Sequence, residues 1–124
     1  MTRISLTAAA LLGGALLIAG CGATAEPTRT GVTGDADRGR EVFLQYGCAS
    51  CHATPDVPSV TDGIGPDLHD FGTNVYIAGQ IPNRPEELIQ WIRQPQQMIP
   101  GSVMPNMGVT QEDAEDIAAF LYSR

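Results

Sequence analysis

The stretch Cys48-Ala49-Ser50-Cys51-His52 constrains this chain more than any other. Two thiols three positions apart, followed at once by an imidazole, form the attachment pattern for a c-type haem. Wound into a single turn, each thiol can form a thioether to a porphyrin vinyl group, and His52 then lies beneath the iron as proximal ligand. Two other chemistries use a C-x-x-C pair. A redox dithiol calls for a thioredoxin-like βαβ pattern, and half of a zinc site calls for a second pair of ligands. The sequence supplies one further cysteine, Cys21, and one further histidine, His69, which favours one covalently held haem c.

The N-terminal residues predict where that chemistry takes place. Arg3 gives a positive start, Leu6 to Ile18 is a short apolar run broken by small residues, and Ile18-Ala19-Gly20-Cys21 closes it. The run is too short and too rich in glycine for a transmembrane helix and reads as an export signal. Small residues ending in a cysteine resemble the lipobox of bacterial lipoproteins, in which cleavage leaves a lipidated Cys21. An ordinary signal peptide or an uncleaved anchor is the alternative. The expected division is a signal peptide over 1–20, a lipidated cysteine with a flexible tether over 21–34, and one domain over 35–124. In that scheme lipid takes Cys21 and haem takes Cys48 and Cys51, leaving no free thiol in an oxidising, exported location.

Ala23 to Gly34 is rich in Thr, Gly and Ala, with Val32 its one large apolar residue, as a tether requires. The roughly 90 residues that follow can bury only a marginal core, so an enclosed prosthetic group would contribute much of the packing. Beyond residue 20 the chain holds six arginines and no lysine against fourteen acidic residues, a formal charge of −8. Such a surface excludes nucleic acid as a partner and is repelled by anionic lipid headgroups.

Three helices are predicted. Asp35 is a plausible N-cap for a helix running to about Tyr46, with Gly47 ending it. Gly39, Phe43 and Tyr46 share one face of that helix, and Gly39 permits close approach by another helix. Arg84 to Arg93 forms a second helix, opened by Asn83 and Pro85 and stopped before Pro95. Thr110-Gln111-Glu112-Asp113 resembles a capping box, and Ala114, Ile117, Ala118 and Leu121 follow it as an apolar stripe. No alternating run predicts a strand, so the fold class expected is all-α with long loops. One loop, His52 to Asn83, is punctuated by four glycines and four prolines. A stretch that long without regular structure argues for wrapping around something, such as a porphyrin. The other, Gln94 to Gly108, carries Met98, Met104 and Met107.

From Asp35 to Arg124, about three quarters of the sequence, the chain resembles class I cytochromes c. More narrowly, it is similar to the cytochrome c domain fused to subunit II of some bacterial haem–copper oxidases. The shared features are the C-x-x-C-H block, Gly63-Ile64-Gly65-Pro66-Asp67-Leu68, Ile81-Pro82-Asn83 leading into Trp91-Ile92-Arg93, and Pro100-Gly101-Ser102-Val103-Met104-Pro105. Here the domain follows a lipobox rather than a copper-binding domain and paired transmembrane helices. The resemblance therefore implies electron transfer without making the chain an oxidase subunit.

The resemblance implies that His52 is the proximal ligand, that the Pro66 carbonyl accepts its other ring N–H, and that Met104 is the distal ligand. It places Trp91 and Arg93 near the haem propionates, although a tryptophan on a short helix is often simply core and an arginine simply solvated. Pro105 disfavours helix at Met104, and Pro100-Gly101 lets the chain turn before it. Core filling is the expectation for Met98 and Met107. His69 is the rival distal ligand. The implied function is a membrane-anchored monohaem electron carrier, not an enzyme, exchanging electrons with exported redox proteins such as a terminal oxidase or a dehydrogenase. The haem-bearing subunit of a larger complex, or a haem sensor or peroxidase with an open distal position, are the other readings.

Overall fold

The computed structural model describes residues 31–61 and 64–124. The signal peptide, the lipobox with Cys21, and most of the expected tether lie outside the described residues. Four helices follow one another: α1 (Ala36–Gln45), α2 (Pro85–Arg93), α3 (Pro95–Met98) and α4 (Gln111–Tyr122). Among the described residues no helix is long and apolar enough to cross a membrane.

The first helix begins because the Asp35 carboxylate accepts hydrogen bonds from the backbone N–H of Asp37 (2.9 Å) and Arg38 (3.0 Å), satisfying two donors of the first turn. It ends because Gly47 adopts φ +75°, a left-handed conformation that reverses the chain. The fourth helix begins where the Thr110 hydroxyl accepts the Asp113 N–H at 3.1 Å. The Asp113 carboxylate is committed elsewhere, accepting from the Thr110 and Tyr46 hydroxyls, both at 2.8 Å, and from Arg38 Nη2 at 2.6 Å. Three donors hold Asp113 below the usual carboxylate range, Tyr46 first among them.

These bonds join α1 to α4. Arg38 also pairs with the buried Asp116, whose other oxygen accepts the Asp35 N–H at 2.7 Å. Beneath the polar latch, Gly39 lies against the Asp116 backbone, and the Phe43 and Phe120 rings meet edge to face with centroids 5.7 Å apart. The predicted stripe of Ala114, Ile117, Ala118 and Leu121 is buried. Val32 packs against this core, and a Cβ on Gly34 would clash with the Glu115 backbone, so the last residues of the expected tether are packed against the domain.

Three local expectations are corrected. The second loop does not begin at Gln94. The helix α2 stops at Arg93, before Pro95, as expected, but Pro95 then opens the one-turn α3, where its missing N–H is harmless, so the methionine-rich loop starts about four residues later. Asn83 does not cap α2, which starts after an extended Arg84. The Asn83 side chain is 3% exposed and ties three segments together. Its Nδ2 donates to the carbonyls of Phe71 (3.1 Å) and Asn74 (2.9 Å), while its Oδ1 accepts from Tyr122 at 2.7 Å. Finally, a small antiparallel hairpin pairs β1 (Tyr76–Ile77) with β2 (Ile81–Pro82), matching Tyr76 to Pro82 and Ile77 to Ile81. Two residues per strand are too few for an alternating pattern to register.

Candidate functional site

The C-x-x-C-H block folds into one tight turn immediately after α1. Residues Cys48–Ser50 form a 3-10 turn, and the Cys48 carbonyl accepts from both Cys51 N–H (3.1 Å) and His52 N–H (3.0 Å). This winding brings Cys48, Cys51 and His52 to one wall of a cavity. Core side chains of α1, α2 and α4, among them Phe43, Leu88, Trp91 and Leu121, supply its floor. Ser102, Val103, Met104 and Met107 supply another wall. Among the described residues, its lining includes no carboxylate, lysine or arginine. A flat apolar ligand fits such a space, and a charged substrate does not.

His52 is held in one orientation. Its Nδ1 lies 2.8 Å from the Pro66 carbonyl oxygen. A carbonyl can only accept, so Nδ1 carries the proton and Nε2 keeps its lone pair for a metal. Gly65 makes this possible: a Cβ there would stand 2.6 Å from His52 Cε1 and 2.7 Å from Nδ1, so only glycine lets the loop lie against the ring. The Gly65 N–H donates to the Cys51 carbonyl at 3.0 Å, and Leu68 N–H to Ala53 at 2.8 Å, fastening the loop to the haem-motif turn. Gly65 stood within a motif already singled out. Its specific part follows from the contact with the imidazole.

The thiol of Cys48 is pushed up to about 11, chiefly by burial and further by the neighbouring Cys51. Reactive dithiols work through a thiolate stabilised by positive surroundings. A buried, neutral Cys48 is the reverse of that arrangement. Among the described residues no group of three or more His, Cys, Asp or Glu side chains could hold a metal ion on its own. The donor set of two thiols, an oriented imidazole and a thioether around an apolar cavity fits a covalently held haem.

The other expected residues divide. Trp91 is buried and lines the cavity, and the half-buried Met104 does so too. Met98 packs against the core away from the cavity, as expected. Met107 does not fill the core: it is 42% exposed and lies at the cavity wall, because Gly108 with φ +71° turns the chain just after it. Arg93 does not reach the cavity. Its Nη1 donates to Gln111 Oε1 at 2.6 Å, and its buried Nε lacks a partner among the described residues. His69 lines a separate recess, where its Nδ1 pairs with the Asp67 carboxylate. The His69 backbone N–H and ring together hold Asp67 below the ordinary carboxylate range. His69 is thus not brought to the cavity.

Comparison with known proteins agrees with this geometry. The Cytochrome c family profile matches residues 36–124. Cytochrome c oxidase subunit 2 of Alkalihalophilus pseudofirmus is 39% identical over 99 residues, covering 79% of this chain and 27% of that protein. The protein of the same name from Bacillus sp. PS3 is 31% identical over 96 residues, covering 74% of this chain and 27% of its own. A diheme cytochrome c-type protein of Cereibacter sphaeroides is 47% identical over 49 residues, 36% of this chain and 17% of its own. The chain spans about a quarter of the length of the oxidase subunits it matches. With helices α1 and α4 packed together beside a C-x-x-C-H turn and a matching profile over the same residues, the chain belongs to the cytochrome c family, as a class I domain built for covalent haem and electron transfer.

Proposed function

We propose that this protein is a monohaem cytochrome c, lipid-anchored through Cys21 to a bacterial membrane on its exported side, that carries single electrons between redox proteins. The observation that carries the reading is one uncharged cavity on which Cys48, Cys51, His52 and Met104 converge. Haem bound there supplies a one-electron iron couple. Cys48 and Cys51 would hold it by thioethers, one motif to one haem. His52, kept as the Nδ1–H tautomer by Pro66, would present Nε2 as proximal ligand, and Met104 would close the distal position. Trp91 and the neighbouring apolar side chains exclude water from the site. His52 and Met104 together would leave the iron no open position for a substrate, as a carrier rather than an enzyme requires.

Anchoring rests on Ile18-Ala19-Gly20-Cys21, and multiple acyl chains give stable attachment where one would be marginal. The acidic surface favours partners with a positive docking face and offers nothing to nucleic acid. A second reading, a haem-bearing subunit of a larger oxidase or other complex, is favoured by the oxidase subunits among the relatives.

Acid–acetone extraction and membrane fractionation test the proposal. Haem should stay with the polypeptide, and Cys21→Ser should leave membranes with its spectrum unchanged. Free haem in the extract, or a Cys21→Ser protein that still sediments with membranes, overturns the corresponding half. Purification in mild detergent separates the two readings: the carrier emerges alone, and the subunit emerges with a stoichiometric catalytic partner.

A further inference from the structure

The loop that presents Met104 is fastened by a side chain outside the cavity. α3 is fixed to the core through the buried Pro95 and through Met98, which packs against the core cluster. The Ile99 N–H donates back to the Pro95 carbonyl at 2.9 Å. The chain then turns through Pro100 and Gly101, the latter at φ +84°, and Ser102 N–H donates to the Ile99 carbonyl at 3.0 Å. This turn folds the loop back over α3, beside Gln96. The Gln96 Nε2 donates to the Ser102 carbonyl at 2.8 Å and reaches the Met104 carbonyl at 3.4 Å. Both targets are carbonyl oxygens, which only accept, so the amide must face them with its nitrogen. The Met104 N–H in turn donates to Ser102 Oγ at 3.2 Å.

The two peptide groups of Met104 are therefore both engaged, one directly by Gln96 and the other by the serine whose carbonyl Gln96 also holds. Val103 between them is 89% exposed and contributes no packing that could fix the loop. Pro105 after it has no N–H to offer. Beside the packing of the Met104 side chain against the core, position is set by hydrogen bonds, and Gln96 makes two of them from an element anchored in the core. A thioether is a neutral, readily displaced ligand. How often it leaves the iron depends on how much freedom its loop has, since ordering a loop beforehand removes that loss of entropy from the bonding step.

We infer that Gln96 is a positioning residue for the distal ligand: its amide fixes the backbone of residues 102–104 and so sets how readily Met104 yields its place to an incoming ligand. The inference rests on Met104 being that ligand.

Imidazole titration of the purified ferric holoprotein tests it, followed by loss of the weak far-red absorption band of methionine-ligated haem. Gln96→Ala and Gln96→Glu should both show the band before imidazole is added and should bind imidazole about fivefold more tightly, the ratio corresponding to one ordinary hydrogen bond. The glutamate has the shape of glutamine but, ionised, cannot donate to two carbonyls. Thermal unfolding followed by helical circular dichroism should show no more than the loss of that one hydrogen bond in both variants, because Gln96 is exposed and, among the described residues, its side-chain amide bonds only to this loop. Wild-type imidazole affinity in Gln96→Glu overturns the inference, since shape without donors would then suffice. So does a loss of global stability with imidazole affinity unchanged, which would make Gln96 a structural residue only. Met104→Ala, run alongside, should lack the band from the outset. If it keeps the band, the ligand assignment fails, and that failure is distinct from either outcome at Gln96.

Discussion

Gly39 in α1 lies so close to Asp116 in α4 that a Cβ on Gly39 would sit far inside van der Waals contact distance of the Asp116 carbonyl and 2.9 Å from Phe120 Cβ. Two effects of Gly39→Ala oppose each other. Within a helix, alanine is favoured over glycine by about 1 kcal/mol. Here the new methyl group meets backbone, which cannot rotate away, and forcing atoms into a packed contact costs about 1–3 kcal/mol or more. The clash wins. Gly39→Ala should lower the thermal midpoint of the holoprotein, and Gly39→Val should lower it further. A midpoint raised by alanine would show that the two helices can separate without penalty.

The Asp113 carboxylate is held below the ordinary range by Tyr46, Thr110 and Arg38. A depressed folded-state value means that its contribution to stability is complete above the unfolded value of about 3.9 and is lost as pH falls through the folded value. Asp113→Asn should therefore flatten that part of the acid limb relative to wild type, with the difference between the two proteins vanishing at the acid extreme. Tyr46→Phe should reduce the same pH dependence in part. Urea unfolding at a series of pH values from neutral downward measures both, and identical slopes for wild type and Asp113→Asn would remove Asp113 from the latch.

Much of this fold was legible in the sequence, and the reasons are local. Asp35, Gly47, Pro85 and Thr110 mark helix ends through their own backbone and side-chain chemistry, and Leu121 falls on the stripe begun by Ala114. The His52–Pro66 bond was implied by family resemblance and matched by geometry. What stayed hidden depended on partners distant in the chain. Nothing around Asn83 announces that it bonds Tyr122, 39 residues away, rather than capping the helix beside it. Arg93 is drawn to Gln111 on the first turn of α4, a partner 18 residues away that nothing around Arg93 announces. Asp116 is an acidic residue in a buried position because Arg38 and the Asp35 N–H meet it, and no hydropathy pattern predicts that.

Asn83 holds the 71–74 segment to the ends of α2 and α4 from a fully buried position. Asn83→Ala removes at least these three hydrogen bonds, to the Phe71 and Asn74 carbonyls and from the Tyr122 hydroxyl. Each buried polar group left unpaired costs about 1–3 kcal/mol, and relaxation or water entry recovers part of it. The expected loss is about 3 kcal/mol, read from the urea midpoint at constant slope. Tyr122→Phe, which removes one of the three bonds, should lose clearly less. Equal losses in the two variants would mean that the tyrosine contact alone accounts for the effect.

The three methionines between α2 and α4 separate into three environments, which gives each substitution its own signature. Met104 is half-buried and lines the cavity, Met107 lines it while 42% exposed, and Met98 packs against the core outside it. Met104→Ala should abolish the far-red band, lower the reduction potential because thioether ligation raises it, and open the reduced iron to carbon monoxide. Met98→Ala should keep the band and the potential while losing stability, by about 2 kcal/mol for a partly buried methionine. Met107→Ala should keep the band with little change in stability, since an exposed side chain leaves no cavity behind. The informative case is Met107, because its sulfur shares the cavity with that of Met104 and burial alone does not choose between them. Backbone does: Pro105 holds Met104 extended, and the Met104 N–H and carbonyl are both hydrogen-bonded, whereas Met107 is followed by a glycine in a left-handed turn. A band retained in Met104→Ala and lost in Met107→Ala would assign the iron to the other sulfur.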